Sequence, residues 1–149
     1  VTRLVVATVT AVLLGGLAGA ANREDADEKP GGVESWGPGS AYGRLFDPTT
    51  IETIRGQVTA LEIVNPKKGM ACGVCLTLAT SEGALAVHLG PESRVDHREI
   101  GLEVLDDVEV TGSRILFKGE PVIIATELRR GDRVVVLRDE RGVPVWNRR

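Results

Sequence analysis

Aromatic, imidazole and sulfur side chains are scarce in this chain. Its 149 residues include two Trp, one Tyr, two Phe, two His, one Met and two Cys. Within residues 48–149 the large aromatics reduce to Phe117 and Trp146, and acidic and basic side chains nearly balance. Such a domain lacks both the stacking platforms and the positive field that hold single-stranded nucleic acid, so nucleic acid is not an expected partner. There is no Gly-rich phosphate loop, no nucleophile elbow and no His-Glu zinc helix, and no catalytic constellation stands out. Cys72-Gly73-Val74-Cys75 is followed by Leu76, where covalent c-type haem attachment requires His, so haem is excluded.

What is present falls into three parts. Residues 1–21 read as an export segment: Arg3, then an apolar and Thr run from Leu4 to Leu14, then the small-residue pattern Ala18-Gly19-Ala20. The run approaches the ~20 residues of a membrane span, so the segment is either a cleaved signal peptide or a retained N-terminal anchor. No Cys follows it to carry a lipid. The expected location is the periplasm, free or membrane-tethered. Residues 22–47 are charged and rich in Gly, Pro and Ser, and bury too little apolar surface to offset ordering. They read as a flexible acidic linker whose Trp36, Tyr42 and Phe46 would dock on the folded part.

Residues 48–149 alternate with period two between turn signals. A long first strand covers Thr53–Val64 and shifts apolar phase near Gly56, as a bulge or sharp coil would make it. Gly73–Thr80 and Ala84–Leu89 form a hairpin with Val74, Leu76, Leu78, Leu85, Val87 and Leu89 inward. With Glu82-Gly83 as its loop, Leu78 faces Val87 and Leu76 faces Leu89. Pro91–Asp106 breaks the alternation and suggests a short helical insert. Further strands follow at Val108–Phe117, Val122–Arg129 and Arg133–Arg138, and Arg130-Gly131-Asp132 reads as a tight turn. The expected fold is an all-β, five- to six-stranded barrel resembling the OB fold, with the insert between strands 3 and 4. Seven Arg in the last 21 residues (Arg129, Arg130, Arg133, Arg138, Arg141, Arg148 and Arg149) interleave with Glu127, Asp132, Asp139 and Glu140, as on a solvated, salt-paired face.

The candidate chemistry lies in Cys72, Cys75 and His88. An offset of three along a strand sends side chains to opposite faces, so the two thiols can join only if Cys72 precedes the strand. The pair reads as a local structural disulfide or as inert thiols, with metal binding and thiol-redox chemistry as alternatives. The expected hairpin register places Cys75 and His88 on one outer face as diagonal neighbours. More weakly, His97 and Met70 could join them around zinc or copper. The bland alternative makes His88 a strand residue opposite Thr77 and His97 a solvated loop residue.

Gly56-Gln57-Val58, Val87-His88-Leu89-Gly90-Pro91, Val110-Thr111-Gly112-Ser113 and Leu137-Arg138-Asp139 with Gly142-Val143-Pro144-Val145-Trp146 occur in an order that resembles the domain shared by the magnetosome proteins MamS and MamX. The likeness runs from about Ile54 to Trp146. It implies a barrel-like accessory domain in an exported setting and supplies no catalytic residues; the c-type haem motifs of MamX-like members are missing here. The expected function is an exported, non-catalytic binding or assembly module with an envelope protein as partner. The alternative is a metal-binding or thiol-redox accessory protein using Cys72, Cys75 and His88. A nucleic-acid or oligosaccharide binder reusing the barrel surface ranks below both.

Overall fold

The computed structural model describes residues 32–147. The expected export segment and residues 22–31 of the linker therefore lie outside the described residues. Six strands, β1 (Ile51–Val64), β2 (Gly73–Thr80), β3 (Gly83–Pro91), β4 (Asp107–Phe117), β5 (Glu120–Arg130) and β6 (Arg133–Val136), enclose one core, with a single helical turn α1 (His97–Ile100) between β3 and β4. Neighbours run β3-β2-β1-β4-β5-β6, and a parallel β3–β5 pairing closes the first five strands into a barrel. This is the OB-like, all-β architecture expected, with β6 as an added strand. Among the described residues no helix is long and apolar enough to cross a membrane.

β1 is shared by both halves of the barrel. Its first half pairs with β4 (Ile51–Gln57) and its second with β2 (Gln57–Val64). Gly56 lies at the changeover, where an added Cβ would come 2.8 Å from the Ala79 carbonyl oxygen. The bulge falls at Thr59, between Val58 and Ala60. It moves the buried set from Val58 to Leu61 and leaves Ile63 on the surface, 41 % exposed.

The β2–β3 hairpin keeps the expected parity but not the expected register. Leu76 faces Val87 and Leu78 faces Leu85, two residues away from the pairing inferred from the sequence. The loop is Ser81-Glu82, because the Thr80 hydroxyl accepts from the Glu82 amide and donates to the Gly83 carbonyl, closing the turn one residue early. A slip of two leaves every side chain on its face, so Val74, Leu76, Leu78, Leu85, Val87 and Leu89 all enter the interior cluster. Val95, Ile100 and Leu102, from the α1 segment, join the same cluster. The Asp96 carboxylate accepts from the Arg98 amide at 2.8 Å and holds α1 in place.

The docking expected of Trp36, Tyr42 and Phe46 is found, while the flexible-linker part of that expectation needs correction from Val33 onward. Short 3-10 turns at Val33–Trp36 and Gly43–Leu45 lie against the outside of the barrel, with Trp36 and Tyr42 almost fully buried. The two large aromatics supply the burial that composition averaged over the segment conceals. Arg138 is also corrected. It is 3 % exposed and belongs to no solvated basic face.

Gly112 pairs with Ala125 beside the irregularity in the β4–β5 ladder, and an added Cβ would collide with backbone at Ile124 and Ala125. Gly112→Ala is expected to lower stability by about 2–3 kcal/mol in urea denaturation. Gly39→Ala, with open space around it, should change stability by less than about 0.5 kcal/mol.

Candidate functional site

Alternation along β3 points Leu85, Val87 and Leu89 inward and sends Ala86 and His88 to the outer face. There Met70, Ile115, Phe117, Val122 and Ile124 form a second apolar cluster. Residues 33–46 cross this patch as a strap. The Trp36 indole nitrogen donates to the Ala71 carbonyl at 2.9 Å, and the Ala71 amide donates to the Ser35 hydroxyl. Gly73 is required beneath the indole, which lies where a Cβ would project. At the strap's far end the Asp47 amide donates to the Ser113 hydroxyl of β4. The strap is thus tied to the barrel at both ends.

His88 lies at the centre of this cover. Its Nδ1 is hydrogen-bonded to the Tyr42 hydroxyl at 2.9 Å, and the two rings stack with 22° between their planes. Phe117 meets both rings edge-on, and Trp36 does the same from the strap. Burial, reinforced by the nearby Arg138 guanidinium, pushes the imidazole down to about 4. Burial also raises the Tyr42 phenol well above its ordinary value. Both groups are neutral at pH 7, so one proton serves the bond between them.

Arg138 follows β6 and reaches the seam where the barrel closes. The β3–β5 ladder spans only Ala86–His88 against Val122–Ile124. Beyond it the strands part, and Arg138 Nη1 donates to both the Leu89 carbonyl (2.9 Å) and the Ala125 carbonyl (2.6 Å). Its guanidinium stacks over the Trp146 ring at 5.2 Å. Burial lowers its proton affinity, with Tyr42 opposing. Arg138 Nη2 and Trp146 Nε1 are buried without an acceptor among the described residues.

The sequence candidates are partly brought together. Cys75 is directly opposite His88 across the β2–β3 ladder, not diagonal to it, and Thr77 faces Ala86. Met70 shares the covered patch. Cys72 is exposed in the coil before β2, the position that a bond to Cys75 would need, yet both cysteines are free thiols. Burial, with Glu62 across the ladder, pushes the Cys75 thiol up to about 12, the reverse of a reactive redox cysteine. His97 begins α1, in the segment that packs against the interior cluster. Among the described residues no group of three His, Cys, Asp or Glu is arranged to hold a metal ion. Sequence reasoning missed Arg138 because Leu137 is already inward, so strict alternation sends the next residue outward.

The fold and this patch define a small OB-like barrel whose outer face is capped by its own strap through a neutral Tyr-His bond. The chain belongs to the MamS/MamX magnetosome protein family, whose sequence model matches residues 50–135. No curated protein matches the chain. The matched stretch contains His88 and nearly all six strands. Tyr42 and Arg138, the groups that lock the cap and the seam, lie on either side of it.

Two consequences are measurable. Below pH 6.5 the unfolded chain takes up a proton that buried His88 refuses until about pH 4. Stability from this group is therefore constant above pH 6.5 and falls by up to about 3 kcal/mol as pH drops towards 4. Urea denaturation should show that extra acid loss in the parent chain and not in His88→Gln. Separately, Arg138→Met orphans two buried carbonyls and should cost about 2–4 kcal/mol. Hydrogen exchange should then quicken first at Ala86–His88 and Val122–Ile124.

Proposed function

We propose that this chain is an exported, non-catalytic module that binds or helps to assemble other envelope proteins. The observation carrying the proposal is the Tyr42–His88 bond. The most chemically capable patch of the barrel spends its imidazole on holding the strap, and the neighbouring thiol is raised by burial. Such a patch stabilises a scaffold. Membership of the MamS/MamX family and the export segment read from the sequence support the same role. Exposed Leu105, Leu116, Val134 and Val136 supply apolar contacts on other faces.

A metal-binding or thiol-redox role has one observation in its favour, the direct Cys75–His88 pairing. Opposite residues stand close enough to share a zinc or copper ion, but the strap must first lift and the thiol lose its proton. Equal zinc binding by the parent chain and Cys75→Ser, measured by titration calorimetry, would dispose of this reading.

The module reading is tested by tagging the chain in its host, fractionating the cells and cross-linking before purification. A fixed protein partner recovered from the envelope fraction in stoichiometric amount is the expected result. Recovery from the cytoplasm, or of the chain alone at every cross-linker concentration, would overturn it.

A further inference from the structure

The strap and the two cysteines share one stretch of backbone. Ser35 and Trp36 take both backbone groups of Ala71: its amide donates to the Ser35 hydroxyl at 3.0 Å, and its carbonyl accepts from the Trp36 indole at 2.9 Å. One residue on, the Cys72 carbonyl accepts from the Glu92 amide at 2.9 Å. Gly73, Val74 and Cys75 are then paired with Pro91, Gly90 and His88. The chain from Ala71 to Cys75 is therefore held extended by its neighbours, and its first residue is the strap's anchor.

That conformation keeps the thiols apart. The Trp36 ring lies where a Cβ on Gly73 would project, so position 73 faces the strap. Val74 enters the interior cluster, and Cys75, opposite His88, returns to the strap side. Cys75 also adds to the rise of the Tyr42 phenol, after burial and against Arg138, so it stands beside the strap's second ring. The same alternation turns exposed Cys72 away from the strap. An offset of three in extended chain separates Cα atoms by ~10 Å, whereas a disulfide needs them within about 7 Å. Joining the two sulfurs requires the backbone around Gly73 to turn over. That motion removes the seat of the indole and disturbs the Ala71 anchor beside it.

We infer that Cys72 and Cys75 form a redox latch for the strap: the dithiol lets Trp36 dock on Ala71 and Gly73, and a Cys72–Cys75 disulfide excludes that docking. The oxidant is a small-molecule disulfide such as oxidised glutathione. The Cys72 thiolate attacks one of its sulfurs, and one glutathione leaves as thiol. Cys75, having lost its proton to solvent, attacks Cys72 Sγ, and the second glutathione leaves. Two protein thiols become one disulfide, and the oxidant is reduced to two thiols that carry the protons. While the strap is docked, burial, with Glu62 adding to it, pushes the Cys75 thiol up to about 12, so the second step waits for the strap to lift. Coupling is reciprocal: a change that loosens the strap favours the disulfide by the same factor. Oxidation thereby uncovers the apolar patch around His88. The inference does not rest on the module reading, since it concerns when that patch is covered and not what the chain assembles with.

The test equilibrates the full chain with mixtures of reduced and oxidised glutathione and detects the intramolecular disulfide by mass, as a loss of two hydrogens. Strap docking is read by tryptic cleavage after Arg44 and by hydrogen exchange at the Ala71 amide. Both should quicken at least ~10-fold in the oxidised chain, and neither should respond to oxidant in Cys72→Ser. Trp36→Ala, at fixed reduced glutathione, should reach half oxidation with at least ~10-fold less oxidised glutathione than the parent. Should Trp36→Ala not fold, Ser35→Ala, which removes the acceptor of the Ala71 amide, takes its place with a shift in the same direction. The inference is overturned by absence of the disulfide at every ratio, or by a disulfide that joins two chains instead. Unchanged cleavage after Arg44 in the oxidised chain, oxidant-driven cleavage in Cys72→Ser, or a parent-like oxidation midpoint in the folded strap variant would also overturn it.

Discussion

The barrel depends on a seam three residues long. Among the described residues, parallel pairing of Ala86–His88 with Val122–Ile124 is the only ladder that closes the first five strands on themselves. A contact so short cannot satisfy the carbonyls just beyond it, and the buried guanidinium of Arg138 bridges them. Burying a cation is unfavourable unless its donors are used, and here one nitrogen serves two strands. Thr126 bulges out of β5 at this level, and its carbonyl receives the amides of both Leu137 and Arg138. The bulge therefore aims the arginine, and the arginine holds the seam.

The outer cap is a consequence of the same seam. Ile124 pairs with His88 across it, and both belong to the surface that Trp36 and Tyr42 cover. Closing the barrel brings together apolar residues from β3, β4 and β5 that no single strand could present alone. The strap then buries them with few residues, because two aromatic rings and a handful of hydrogen bonds suffice. The histidine that looked most available for chemistry is the group that makes this attachment specific.

Much of the barrel was legible because alternation is a strong local signal. Val74 to Leu89 declared their inward faces, and a register error of two left those faces unchanged. The position of the turn was not legible, since it hinged on one hydroxyl, Thr80, closing the loop a residue early. The site was half legible. Cys75 and His88 were placed on one face, but nothing local to either residue shows that Tyr42, 46 positions upstream of His88, would cover it. Arg138 was hidden for a different reason. Its burial answers to two carbonyls on distant strands, and no periodicity along its own segment encodes that demand.

The order of events during folding follows from how the strap's floor is assembled. The β2–β3 and β5–β6 hairpins are local, but the pairing of Ala86 with Val122 spans a long stretch of chain and forms slowly. Until those distant strands meet, the part of the covered patch that Val122 and Ile124 contribute is not in place. Full burial of the strap's two large aromatics therefore waits on closure of the barrel, so the ring contacts of Trp36 and Tyr42 carry a signal of that step.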